Sequence, residues 1–238
     1  MFPPFEESLA LKECRKIISL LNEKRITLEY TGKISPERAS SGIMIGACLS
    51  KNDIDETVRL YTVSGNARRI VDAENTIDGF FVEPIVSTEK ITGALAENDE
   101  EIHRLTDEIN ACEDVLKKNE LKKQREKLTT ESLAKVHDLY SFHCFNGKVK
   151  SLKEISAVTN RGKLPPTGTG DCCAPKLLDY CYANGLMPFS MCEVFYGNDS
   201  ETKKSGQVYG PCDERCGLIL PEILGLEVLY RDSHICVV

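Results

Sequence analysis

The feature that most restricts this chain is a change of pattern in its middle. From Ala96 the apolar residues Ile102, Leu105, Ile109, Cys112 and Leu116 recur by three and four, a heptad seam held for about two heptads. The seam then gives way to Lys117–Lys127 (KKNELKKQREK), almost wholly polar and rich in Lys and Arg. Such a stretch cannot enter a sheet, so it divides the chain into two β-prone parts joined by a helical hairpin or one long protruding helix. The tip or the solvated part is expected near Asn119. Two heptads are too few for an independent coiled coil, so the seam should pack on its own chain or on a partner, including a second copy.

On the N-terminal side, Leu9, Leu11, Cys14, Ile17, Ile18, Leu20 and Leu21 give Glu6–Lys24 the spacing of an amphipathic helix. Ile26–Tyr30, Ser41–Ser50 (SGIMIGACLS), Thr57–Ser64 (TVRLYTVS) and Gly79–Val86 (GFFVEPIV) read as extended, with Lys51–Glu56 as a polar turn. Residues 1–95 are therefore expected as a helix with a small, mainly antiparallel sheet. On the C-terminal side, Leu139–Phe145 and Lys148–Ile155 flank Asn146-Gly147, a signal for a type I′ hairpin. A loop from Arg161 to Gly170 leads to a helix over Asp171–Asn184, with Asp171 as cap. A strand follows over Ser190–Tyr196, then a helix over Cys216–Leu224 and a strand beginning the segment after Glu227. The predicted class is α+β / α/β: 1–95 an N-terminal α+β region, 96–137 a charged helical segment, 138–225 a three-layer-like α/β domain.

Charge and cysteine content restrict function. The net charge of −7 repels phosphate on average, so nucleic-acid binding would need a local basic patch. Lys117, Lys118, Lys122, Lys123, Arg125 and Lys127 form the candidate patch, against the plainer reading of a solvated helix face. No apolar run approaches a bilayer span, and Glu6 and Glu7 sit where an export signal would need basic residues. The 11 cysteines are therefore expected in a reducing compartment, the cytoplasm, where clusters serve as metal ligands or pack as small hydrophobes.

Four cysteines stand out: Cys172 and Cys173 at one expected helix start, Cys212 and Cys216 (Pro211-Cys-Asp-Glu-Arg-Cys216) at another. Amide donors and the helix dipole at such positions favour thiolate. The order resembles that of zinc-dependent nucleobase deaminases, whose signature is His or Cys then Glu on one helix and Pro-Cys-x-x-Cys on the next. Cys173, Cys212 and Cys216 are the candidate zinc ligands. Two departures stand against activity of that kind. Pro175 occupies the place of the catalytic Glu two after Cys173, and the second pair is spaced C-x-x-x-C. A carboxylate would have to come from elsewhere, with Glu193 and Asp171 nearest in sequence. Metal binding and plain packing both remain open at this point.

A second resemblance covers more of the chain. Thr167-Gly-Thr-Gly-Asp-Cys-Cys-Ala-Pro-Lys-Leu-Leu178 resembles a TG-[DE]-CCAPKLL stretch in the extended N-terminal region of a subset of RluA-type pseudouridine synthases. Met191-Cys-Glu-Val-Phe-Tyr-Gly197 and Tyr209–Cys216 stand where that family has MAEFWWG and YPACRGKC. Ser41–Leu49, Tyr61–Gly65 and Phe80–Pro84 resemble its earlier strands more weakly. Leu226–Val238 is similar to the opening strand of the synthase domain, which in the family runs on into Asn-Lys-Pro. The resemblance implies an accessory, RNA-binding region of a ribosomal RNA pseudouridine synthase, with 226–238 the first strand of a catalytic domain that lies beyond this sequence. It implies no catalytic residue here. His103-Arg104-Leu105 is followed by Thr106 rather than the Asp of the family's His-Arg-Leu-Asp element, and it lies within the heptad seam.

Overall fold

In this computed structural model, residues 5–31, 41–160, 162–226, 228–231 and 234–237 are described. Contacts divide the chain into two compact units: Met1–Ile85 with Ser141–Val238, and Val86–Tyr140 between them. The segments expected as separate regions at 1–95 and 138–225 thus fold together. The physical reason is a strand. β2 (Ile43–Lys51) is buried along almost its whole length, so both its edges and both its faces need cover. Its hairpin partner β3 (Thr57–Val63) covers one edge, and β8 (Met187–Tyr196) from the far end of the chain covers the other, both antiparallel. β5 (Phe80–Phe81) adds to β3 in parallel, giving the order β5-β3-β2-β8 and a mixed sheet rather than an all-antiparallel one.

The period-2 alternation of β2 assigns its faces. Ile43, Ile45, Ala47 and Leu49 point to helix α1 (Ser8–Asn22), where they bury with Ala10, Cys14, Ile17, Leu20 and Leu21. Ser190 of β8 accepts the Ala10 N–H, and the Cys14 thiol donates to the Ile45 and Cys192 carbonyls. On the opposite face Cys48 and Ser50 meet Cys181 of helix α5 (Cys173–Ala183). Gly46 lies on that face too. A Cβ there would come within 2.4 Å of the Cys173 Cβ, so only glycine lets α5 sit this close.

The remaining elements of this unit are short. β1 (Thr27–Tyr30) pairs with β4 (Arg68–Val71), a strand the periodicity does not announce. β6 (Ser141–His143) and β7 (Val149–Ser151) form the expected hairpin, but not with a type I′ turn. Gly147 alone takes a positive φ, and Asn146 instead accepts the Lys148 N–H through its side chain. The segment expected to stay extended to Ile155 becomes helix α4 (Leu152–Thr159), because Ser151 and Glu154 form a capping box. Helix α6 (Cys216–Ile223) packs against α4 and α5, and Glu222 pairs with Lys150. The backbone of β9 (Val228–Arg231) and β10 (His234–Val237) runs as an antiparallel pair, so the terminal segment doubles back rather than forming one strand.

The second unit is a helical hairpin, α2 (Thr88–Ala111) and α3 (Val115–His137). Ser87 caps α2 and Asp114 caps α3, so the chain turns at Cys112–Asp114, before Asn119. Asp114 accepts the N–H groups of Leu116 and Lys117, which breaks the seam one turn early and leaves Leu116 exposed. Leu105, Ile109 and Leu121 make the core, with Cys112 and Leu128 against it, and Asn98 donates to buried Ser132. The seam packs on its own chain. Leu105 of the His103-Arg104-Leu105 triplet is a core residue, and Arg104 pairs with Glu101 and Glu108.

A candidate thiolate metal centre

Helix α5 begins one residue later than expected. Cys172, not Asp171, is its N-cap, and Cys173 is its first helical residue. That offset decides which thiol faces which way. Cys173 turns inward against Gly46, is fully buried, and donates to the Met44 carbonyl. Burial pushes its thiol well up, toward the neutral form. Cys172, in extended backbone, turns instead toward the loop before α6. There Cys172, Cys212 and Cys216 bring their sulfurs within 4.8 Å of one another. Of the expected set, Cys212 and Cys216 come together, but their neighbour is Cys172, and Cys173 faces away from them.

The three sulfurs share charge unequally. Cys212 is exposed and held well below the usual thiol range by hydrogen bonds from Cys172 and Cys216, with further help from the Cys216 and Arg215 N–H groups. Cys172 is pushed up to about 12, chiefly by the hydrogen bond to Cys212. Cys216, buried at the start of α6, is raised by its hydrogen bonds to the other two. The C-x-x-x-C spacing serves this arrangement. Asp213–Arg215 form a turn, the Gly217 N–H bonds the Cys212 carbonyl at 2.9 Å, and two amides are left to face the Cys212 sulfur. Such amides stabilise a thiolate with or without a cation. Three clustered sulfurs in reach of one tetrahedral ion fit zinc, whose thiolate bonds are about 2.3 Å long.

One functional candidate was only weakly visible in sequence. Glu193 pairs with Gly46 across β2 and β8, so it shares the α5 face of the sheet. It is buried, and its carboxylate accepts the Ala174 N–H at 3.0 Å, at the start of α5. Burial pushes its carboxyl up to about 7, although the Ala174 amide and the charges of Lys203 and Lys176 act the other way. The alternation of β8 could have placed it on this face; nothing local showed what it would meet. Asp171, the other sequence candidate, ends the preceding loop, where its carbonyl accepts the Gly65 N–H.

Lys176 explains the remaining polar residue of the CCAPKLL block. It is buried, and its ammonium donates to the Val63 and Gly65 carbonyls, tying α5 to the end of β3. Burial lowers its pKa, opposed by the negative groups around Cys173 and Asp171.

The six basic candidates lie on α3, where Lys117, Lys122, Lys123 and Lys127 are exposed and Lys118 and Arg125 half-buried. Among the described residues only Lys127 of these makes an ion pair, a weak one with Glu131 at 4.0 Å. Lys122 and Arg125 line a shallow groove with Thr129 and Thr130. No family model, curated protein or solved structure matches this chain. No described helix is long and apolar enough to cross a membrane.

Proposed function

We propose that this chain is the accessory, RNA-binding region of an RluA-type ribosomal RNA pseudouridine synthase, and that its α/β unit holds zinc through Cys172, Cys212 and Cys216. The observation that carries the reading is a convergence. The three stretches with the family resemblance, Thr167–Leu178, Met191–Gly197 and Tyr209–Cys216, belong to separate elements but meet at one place, as Cys172, Glu193 and the Cys212–Cys216 turn. A shared sequence pattern is expected to concentrate where side chains depend on each other.

The resemblance to nucleobase deaminases supports the metal part. Cysteines stand at the starts of α5 and α6, and in those enzymes the zinc ligands stand at two helix starts. RNA contact is assigned to α3, whose lysines neutralise phosphates without reading bases.

Two measurements test the reading. Protein purified without added metal should carry about one equivalent of zinc, and Cys212→Ala should carry well below that. Binding to ribosomal RNA fragments should weaken steeply with salt. Reversing Lys117, Lys118, Lys122 and Lys123 to Glu should flatten the log–log salt slope by roughly 3, at about 0.7 per phosphate contact on single strands. Salt-independent binding, or none, would remove the RNA assignment; absence of zinc would remove the metal.

A further inference from the structure

We infer that Cys212 is an oxidation site, at which a peroxide takes two electrons from Cys212 and Cys172, joins them as a disulfide and thereby expels the metal. Only the expulsion rests on the zinc reading above; the cross-link rests on the thiols themselves.

The cysteines differ in what a dissolved oxidant can reach. Among the described ones Cys212 alone is exposed; Cys112 and Cys172 are half-buried, and the others are buried. Oxidation follows exposure as well as thiolate character, so Cys212 is the thiol attacked first.

A thiol oxidised alone proceeds to irreversible acids unless a second sulfur captures it. Two sulfurs stand ready here, since those of Cys172 and Cys216 lie within 4.8 Å of that of Cys212 and of each other. A disulfide bond is about 2.05 Å long, so one of them must swing toward Cys212. Cys172 is the freer of the two, because it caps α5 in extended backbone and is only half-buried. Cys216 is held in the first turn of α6 and is 0% exposed. Cys173 cannot take its neighbour's place, since it is packed on Gly46 and donates to the Met44 carbonyl.

A second thiol pair supplies the contrast. The sulfurs of Cys48 and Cys181 lie 4.0 Å apart, but both are buried between β2 and α5. Proximity without exposure leaves that pair reduced in the folded protein.

The chemistry balances with hydrogen peroxide as the oxidant. A lone pair of the Cys212 sulfur attacks one peroxide oxygen and the O–O bond breaks. Hydroxide leaves and takes the thiol proton as water, and Cys212 becomes a sulfenic acid. A lone pair of the Cys172 sulfur then attacks the Cys212 sulfur and the S–O bond breaks. The departing hydroxide takes the Cys172 proton as a second water. Two thiols and one peroxide thus become one disulfide and two waters. Metal ligation needs thiolate, so Cys216 is the one member of the trio left to hold an ion.

The test exposes the full folded chain, with zinc and without it, to hydrogen peroxide, blocks the remaining thiols and maps the tryptic peptides. Cleavage after Lys and Arg places Cys172 with Cys173 in 164–176, Cys212 in 205–215 and Cys216 in 216–231, so each pairing has its own mass. A cross-link between 164–176 and 205–215 should dominate, vanish in Cys172→Ser and be reversed by dithiothreitol. Roughly one zinc should leave per cross-link formed, while Cys48 and Cys181 stay reduced. A dominant link between 205–215 and 216–231, Cys212 oxidised only to its acids, or a link that survives Cys172→Ser would each overturn the inference. Zinc retained after cross-linking, or Cys48 joined to Cys181 equally fast, would overturn it too. Protein that takes up no zinc would overturn the metal reading alone, because the zinc-free chain still decides the cross-link.

Discussion

The two units of this chain solve the same problem in opposite ways. The helical hairpin is local: α2 and α3 follow each other directly, each has a side-chain cap, and three leucine or isoleucine side chains make its core. The α/β unit is non-local. β2 pairs with a strand about 140 positions away, and its central helix is fixed by a glycine on one strand and a buried lysine reaching the end of another. Polar chemistry follows the same division. On α3 it is solvated and independent of fold, while in the α/β unit Glu193, Lys176 and the cysteines exist as a group only because distant segments meet. The lesson is that a charged surface can be moved or reversed without consequence for the core, whereas a buried polar group cannot.

The largest effect should come from the small core of the hairpin. Leu121→Ala removes one of the three buried side chains of the hairpin's core cluster, and the general range for such truncations is about 2–5 kcal/mol. Helical content should melt earlier in thermal circular dichroism while zinc content stays unchanged. If zinc is lost with the helices, the two units are not separable.

Next comes Lys176→Ala. It leaves the Val63 and Gly65 carbonyls without their buried donor, at about 1–3 kcal/mol, and frees the start of α5. Here the denaturation midpoint and the zinc content should fall together. Gly46→Ala tests the same packing from the strand side, since its Cβ meets that of Cys173; overpacking of this kind costs about 1–3 kcal/mol. An unchanged midpoint in either variant would contradict the close seating of α5.

A smaller, pH-dependent effect is expected at His137. It is buried near the end of α3, and neither ring nitrogen has a hydrogen-bond partner among the described residues. Burial lowers its pKa, with Asp138 acting weakly the other way. The unfolded chain therefore binds the proton first, so stability should fall as pH drops below about 6.5 and level off below the folded-state value. His137→Phe should flatten that part of a stability–pH curve; an unaltered slope would assign the acid sensitivity to other groups.

The smallest effect should be that of reversing Lys117, Lys118, Lys122 and Lys123. Exposed substitutions of this kind generally stay within about 0.5 kcal/mol each. RNA affinity, not the melting point, is where their change should register.

Much of this was legible in the sequence. The helix at the start, the β2–β3 hairpin, the helical interruption, α5 and α6 all followed from spacing and turn chemistry, because periodicity and caps act over a few residues. The local errors were also local in cause. Asp114 caps α3 before Asn119 is reached, the Ser151–Glu154 box makes a helix where a strand was expected, and Asn146 uses its side chain rather than a positive φ. Each was written in the sequence but competed with a stronger-looking pattern.

The candidate site divides differently. Residue type and order were enough to single out the cysteines at two helix starts, because amide donors and the helix dipole at such places favour thiolate. Which of two adjacent cysteines faces the site was decided by a one-residue shift in the start of α5, which turns Cys173 onto Gly46 and leaves Cys172 free to meet Cys212 and Cys216. The surroundings of Glu193 were decided wholly by tertiary structure. Its partner is an amide nineteen positions earlier, and only the pairing of β8 with β2 brings the two together. Sequence determines what local spacing and side-chain chemistry can express; the orientation of one thiol and the neighbour of one carboxylate depend on contacts that exist only after the chain has closed on itself.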